Sequence, residues 1–384
     1  MNPIVQKLRD IHFDERHCGG RLGFYDGLPD FEAPRKTALL TSASDPLDIV
    51  LALFLLNENV PIEQVMEVFT EADLYALRTM SLIRIDADTV SAPVNLFPCT
   101  GHYIATDRRT FPKNNRPEFN RIMWLYPESY MLAGLVDRTR PVRKALDLGV
   151  GSGIHALKAT QHSEEVIGVD INLRAIEFST FNRRLNGIQN VEFRLGDLYE
   201  PVNGMRFDLI VSNPPFNPSP TVKAGTDYWS GGASGEEILS RIIGGLDEHL
   251  TENGVCHIIT LLCHQRSGPT YREKLDSWLA GGLKKFDVMA HVTDQGRYFS
   301  RHDQNYFFDQ DFEERERFLR AAFERFEFGI ISIRRSQSGE GHYYHGPAWT
   351  SLPLFDPDAR VRAPITDRTF EESAARSQLW DATR

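Results

Sequence analysis

Phe207-Asp208-Leu209-Ile210-Val211-Ser212-Asn213-Pro214-Pro215-Phe216 reads as a strand that stops at a fixed point. Two consecutive prolines set φ and remove two backbone donors, so a central strand cannot run through them. The carbonyls before them are left free at the carboxyl end of a sheet, where open α/β folds bind ligands. Asn213 adds one acceptor and two donors, and Phe216 an aromatic face. Such a segment suits a planar N–H group held by acceptor oxygens. Read alone, the tetrapeptide is more often a plain turn.

Its context changes that reading. Upstream, the apolar run Lys144-Ala145-Leu146-Asp147-Leu148 breaks into Gly149-Val150-Gly151-Ser152-Gly153 and enters a helical pattern from Ile154 to Thr160. The spacing is G-x-G-x-G, whereas the dinucleotide fingerprint is G-x-G-x-x-G, so a pyrophosphate on the helix N-terminus is not the natural reading. Asp147 would repel a phosphate but suit a cationic amino group. The next run, Val166-Ile167-Gly168-Val169, ends in Asp170, where an acid can hold ribose hydroxyls. A third, Val191-Glu192-Phe193-Arg194-Leu195-Gly196, ends in Asp197. Each acid alone fits a helix cap or a solvated loop. Asp147, Asp170, Asp197 and Asn213 at four successive strand ends instead describe a pocket for a nucleoside with a positively charged tail.

With these residues the chain resembles the S-adenosylmethionine-dependent methyltransferases of the Rossmann-like class. More narrowly, it is similar to the Asn-Pro-Pro-aromatic branch, which methylates nitrogens of protein glutamine side chains or of nucleic-acid bases. Tyr126-Pro127-Glu128-Ser129-Tyr130-Met131-Leu132 resembles the segment that lies over the cofactor in the glutamine enzymes. Trp229-Ser230-Gly231-Gly232-Ala233-Ser234-Gly235-Glu236 is similar to their glycine-rich loop.

The resemblance implies a cofactor site of Glu128, Ser129, Asp147, Gly149, Gly151, Gly153, Asp170, Ile171, Asn172, Asp197, Leu198 and Asn213. It gives Asp170 the ribose and Asp197 with Leu198 the adenine edge. It implies a catalytic segment of Asn213, Pro214, Pro215 and Phe216, with Phe216 stacked on the acceptor. Asn217 stands where many ribosomal-RNA members carry histidine, which disfavours RNA without excluding it. The leading acceptor is a small molecule or a protein amide. Alternatives are an exocyclic amine of an RNA base, a hydroxyl, or a non-catalytic cofactor sensor, and the intact Asn213 segment speaks against the sensor.

Composition fits this picture. A chain of 384 residues suits two domains, and 41% hydrophobic content can fill a core. No apolar run approaches the ~18–20 residues of a membrane span. The N-terminus lacks a signal-peptide core, and four cysteines imply no disulfide framework, so a reducing cytoplasm is expected. Cys256-His257 and Cys263-His264 fall at odd separation on one predicted strand, so the cysteines face opposite sides and no metal is expected.

The expected division is an N-terminal unit at 1–105, a linker and cofactor-covering segment at 106–140, a catalytic domain at 141–336 and an extension at 337–384. Helical spacing at 46–56, 61–69 and 71–80, then a hairpin at 82–90, suggests a winged helix. Residues 1–100 hold 8 Lys and Arg against 15 Asp and Glu, so DNA binding is disfavoured and a lid or homodimer contact expected. Arg108, Arg109, Lys113, Arg116 and Arg121 interleave with Phe111, Phe119, Trp124 and Tyr126, a pattern read first as linker and second as a single-strand surface. Seven strands are expected in the catalytic sheet. The aromatic stretch 297–326 walls the acceptor pocket or covers a sheet edge, and Gly341–Gly346 reads as a tight surface turn, structural in preference to metal-binding.

Overall fold

The apolar runs come together in one mixed sheet of eight strands, one more than expected. The structure, a computed structural model, describes residues 2–25, 28–29, 45–108, 120–125, 127–137, 140–220, 228–295, 312–347, 365–366 and 369–372. The expectations for residues 109–119, for Tyr126 and for the aromatic stretch 297–311 lie outside these.

Strands β1 (Phe24–Tyr25) and β2 (Leu28–Pro29) pair with each other, and β3 (Val60–Pro61), β4 (Arg84–Asp86) and β5 (Thr89–Ser91) form a small antiparallel sheet. A long hairpin follows, β6 (Val94–Cys99) with β7 (His102–Asp107). The large sheet is built from β8 (Val142–Leu148), β9 (Ser163–Asp170), β10 (Val191–Leu195), β11 (Phe207–Ser212), β12 (Leu250–Gln265), β13 (Phe286–Gln295), β14 (Phe323–Arg335) and β15 (Tyr343–Pro347). Their order is β10-β9-β8-β11-β12-β14-β13-β15. Strands β8 to β12 run parallel, and β14 is inserted antiparallel between β12 and β13.

The eighth strand corrects the reading of Gly341–Gly346 as a turn. Tyr343–Pro347 lies parallel to β13, pairing His345 with Ala290. A parallel partner more than fifty residues away leaves no local sequence trace, so glycine and histidine dominated the reading.

From β8 the chain steps outward to β9 and β10, then returns to β11 on the other side of β8. That reversal opens a crevice at the carboxyl ends of β8 and β11. Side-chain alternation sends Leu209 and Val211 of β11 to one face and Ile210 to the other. Cys256 and Cys263 likewise enter different clusters.

The N-terminal helices Pro46–Phe54, Ile62–Val68 and Glu71–Thr79 appear near the expected positions. Thr70 and Asp73 close a reciprocal capping box on the last of them. These elements share a hydrophobic cluster with the large sheet: Phe13, Phe54, Leu96 and Ile104 pack in one group with Ala145, Leu157 and Val211. The hairpin is also tied by amides. On the helix Leu173–Leu185, Asn182 accepts from Ala105 N at 2.8 Å and donates to Ala105 O at 2.9 Å. Asn186 does the same to Tyr103, at 2.9 and 2.8 Å. The two side chains continue the edge of β7 as a further strand would.

Candidate active site

Asp170 ends β9 and faces the glycine turn after β8. Its Oδ2 accepts from Gly151 N and its Oδ1 from Asn172 N, both at 2.9 Å. Each oxygen keeps a lone pair for a hydroxyl donor. Burial raises its pKa, against the pull of the backbone N–H groups of Gly151, Asn172 and Ile171. The turn needs glycine: Gly153 has φ +90°, and a Cβ there would meet Ser179 Cβ at 3.0 Å.

Around this turn opens a cavity of about 530 Å³, within the usual range for small-molecule sites. Of the sequence-derived residues, Ser129, Gly149, Gly151, Asp170, Ile171, Asn172, Asp197, Leu198, Asn213 and Pro215 line it. Ser212 Oγ donates to Leu148 O at 2.6 Å, which joins the ends of β11 and β8 and places Asn213 beside the turn. Asp197 is held by Arg241 at 2.8 Å.

Five expected residues do not line the cavity: Glu128, Asp147, Gly153, Pro214 and Phe216. Asp147 is fully buried, and its Oδ2 accepts from Ala156 N at 2.8 Å in the helix Ile154–Ala159. Asp147, expected with the glycines in the cradle for the methionine part, thus gives one carboxylate oxygen to the first turn of that helix. Its Oδ1 is buried without a hydrogen-bond partner among the described residues. Burial pushes its pKa up to about 7, helped by the charge of Asp170. Glu128 is pushed up to about 7 by burial as well.

Phe216, expected to stack on the acceptor, is placed away from the cavity lining. Its ring is 7% exposed and packs on Phe328 at 5.9 Å, within a cluster that includes Met131 and Ile259. An aromatic residue that does line the cavity is Tyr228, edge-on to Trp124 at 6.2 Å. The glycine-rich loop backs the Asn213 segment closely. Asn217 N donates to Trp229 O at 2.9 Å, and a Cβ on Gly235 would lie 2.8 Å from Phe216 O.

Residues 120–125 fall in the stretch expected as a linker and cofactor-covering segment, and Asn120, Arg121, Ile122, Met123 and Leu125 form a wall of the cavity. Arg174 holds them in place: it pairs with Asp107 through two bonds of 2.8 and 2.7 Å and donates to Asn120 O at 2.8 Å. His155 is a further residue missed in the sequence. It lines the cavity, burial lowers its pKa to about 3, and its Nε2 has no partner among the described residues. A histidine after a glycine turn carries no sequence signal that separates it from packing.

The glycine cradle, the two free lone pairs on Asp170 and the unpartnered Asp147 Oδ1 and His155 Nε2 fit a nucleoside with a polar tail. Residues 128–262 match the methyltransferase small domain. The putative protein N5-glutamine methyltransferase of Methanocaldococcus jannaschii is 34% identical over 148 residues, covering 35% of this chain and 73% of that protein. The chain belongs to the S-adenosylmethionine-dependent methyltransferases related to the protein-glutamine enzymes. S-Adenosylmethionine is the family's cofactor, and the mixed α/β sheet is Rossmann-like. The ribosomal protein uL3 glutamine methyltransferase of Bradyrhizobium diazoefficiens is 34% identical over 137 residues, 32% of this chain and 43% of that protein. The release factor glutamine methyltransferase of Aliivibrio fischeri is 29% identical over 207 residues, 53% of this chain and 57% of that protein. The chain thus spans about half the length of these last two. Among the described residues, no helix is long and apolar enough to cross a membrane.

Proposed function

We propose that this chain methylates a planar nitrogen, with a side-chain amide of a protein as the leading acceptor. The observation that supports this most is that Asn213 and Pro215 line the same cavity as Asp170 and the glycine turn. The bound cofactor supplies an electrophilic methyl group on a sulfonium. Asp170 would hold the ribose hydroxyls, and Asp197 with Leu198 the adenine edge. Asp147 Oδ1 would receive the cationic tail through the glycine cradle. Glu128 and Ser129 would close the site from the helix Pro127–Leu135.

An amide nitrogen is a poor nucleophile because its lone pair is delocalised. The Asn213 side-chain oxygen and the Pro214 carbonyl would each accept one acceptor N–H, favouring a pyramidal nitrogen and aiming its lone pair. Positioning of this kind can remove up to ~7–11 kcal/mol of a barrier, and dipoles already oriented toward the developing charge add to it. Two relatives are named for glutamine in a release factor and in ribosomal protein uL3, which favours a protein amide over a small molecule for this chain. The N-terminal helices and small sheet are winged-helix-like in our reading and would shape the acceptor side, as a cover or as a contact with a second copy.

The test is incubation with radiolabelled S-adenosylmethionine and separated protein, RNA and metabolite fractions. Label on protein glutamine is the expected result. Label on RNA alone would move the acceptor to a base amine while keeping methyl transfer. No label in any fraction would remove the catalytic reading.

A further inference from the structure

Away from the cofactor cavity, three strands of the large sheet converge on one carboxylate oxygen. Glu327 of β14 accepts through Oε2 from His264 Nε2 of β12 and from His345 Nε2 of β15, each at 2.7 Å. The three ligand-type atoms all lie within 4.8 Å of one another. The side chains are 12%, 8% and 19% exposed for His264, Glu327 and His345, so the cluster is nearly closed but reachable by a small ion.

The surroundings hold these groups in place. Tyr343 hydroxyl is 3.1 Å from His345 Nδ1, which sets that ring's orientation. Arg325 Nε donates to Glu327 Oε1 at 3.2 Å, leaving Oε2 for the two imidazoles. The two imidazole rings are 5.6 Å apart at 22°. Tyr271, at the start of the helix Tyr271–Trp278, lies 5.6 Å from the His264 ring and 6.0 Å from that of His345. None of the three cluster residues lines the cofactor cavity.

We propose that His264, Glu327 and His345 form a binding site for a divalent transition metal of the zinc class, which clips the edge strand β15 to the body of the sheet. Two imidazole nitrogens and one carboxylate oxygen suit zinc, whereas calcium and magnesium prefer all-oxygen sets. Zinc bonds of ~2.0–2.2 Å in a tetrahedron put ligand atoms roughly 3.3 Å apart. Each 2.7 Å contact therefore opens by about 0.6 Å on binding, a shift His345 can supply from an edge strand. Water would complete the fourth position. The hydrogen-bonded cluster explains why all three groups tolerate burial without an ion. Both Nε2 atoms and Oε2 already face one another, so a small opening places an ion among them.

A second cluster, His12, Asp14 and His17, is exposed or half-exposed, and Asp14 caps the helix Glu15–Leu22. It serves as the control. Chelator-treated full-length protein would be titrated with zinc chloride at about pH 7.5 by calorimetry, and cobalt substitution would report geometry. One tight equivalent is expected, together with a higher thermal midpoint when zinc is present. His345→Gln keeps an amide donor toward Glu327 but no imidazole. Its zinc affinity should fall by at least the ~10–100-fold that loss of an outer-shell partner costs, with S-adenosylmethionine binding retained as the folding check. His17→Gln should leave the tight equivalent in place. If the cluster variants do not fold, the cobalt spectrum of the unmutated chain decides: a tetrahedral nitrogen–oxygen spectrum supports the site, and an octahedral water-like one overturns it. Absence of a tight equivalent, or its survival in both His264→Gln and His345→Gln, also overturns it.

Discussion

Asp170 and Gly151 are joined by one hydrogen bond of 2.9 Å, so the acid that ends β9 also fixes the glycine turn after β8. Any ligand seated on that turn meets a carboxylate whose orientation is already set. Preorganisation of this kind lowers the cost of ordering the site on binding.

Asp170→Ala is expected to weaken S-adenosylmethionine binding at least about tenfold, given ~1.5–3 kcal/mol for a hydrogen bond to a charged group. Calorimetry on the variant measures it, with near-ultraviolet circular dichroism to confirm packing. Unchanged affinity in a folded variant would remove Asp170 from the ribose role.

Asn213→Ala should separate chemistry from binding. Its cofactor affinity should stay within a few-fold of the parent, while turnover falls by a factor of ~100 or more, as loss of one preorganised polar contact costs ~2.7–4 kcal/mol. Single-turnover kinetics with the identified acceptor measure it. Near-normal turnover counts against the clamp.

The two acids raised to about 7 give a pH signature. In the unfolded chain Asp and Glu titrate near ~4. Between about pH 4 and 7 the folded state keeps protons the unfolded state has lost, so stability falls as pH rises through that window. Their contribution is fully present below about pH 4 and is gone above about pH 7. Glu128→Gln has no proton to lose there. The stability of the parent relative to this variant should drop by on the order of 3 kcal/mol from pH 4.5 to 7.5, read from urea unfolding. Cofactor affinity should move the opposite way, because a cationic tail needs Asp147 ionised. It should weaken by up to about tenfold for each pH unit below 7, and a flat profile would detach Asp147 from the cofactor.

Asn182→Ala removes three hydrogen bonds, to Ala105 N, Ala105 O and Ser152 O. Buried groups left unpaired cost about 1–3 kcal/mol each, so a loss of several kcal/mol is expected. Because the N-terminal elements share a core with the large sheet, tryptophan fluorescence and far-ultraviolet circular dichroism should still report one transition. Two separate transitions would show the N-terminal unit to be an independent body.

Legibility followed the local character of each signal. Asp170, Asp197 and Asn213 were readable because an apolar run ending in a polar residue at a glycine or proline marks a strand tip. Asp147 carried the same mark, but its orientation depended on the first turn of the next helix, which claims the carboxylate. Phe216 looked like a site aromatic, yet Phe328, more than a hundred residues later, offers it a core contact. Asn182 and Asn186 carry no local sequence signal. Their role appears only once β7 lies alongside. The strand β15 was hidden for the same reason, since its partner is distant and parallel.

The amide bridges from Asn182 and Asn186 to β7 also govern the order of events during synthesis. Tyr103 and Ala105 leave the ribosome well ahead of their partners, which follow 83 and 77 residues later. At ~5–20 residues per second, that delay is on the order of 4–16 s. Throughout it the hairpin presents an unpaired strand edge and the apolar face meant for the large sheet. A nascent chain in this state is open to strand pairing with another chain, and slower translation across residues 108–181 would lengthen that exposure.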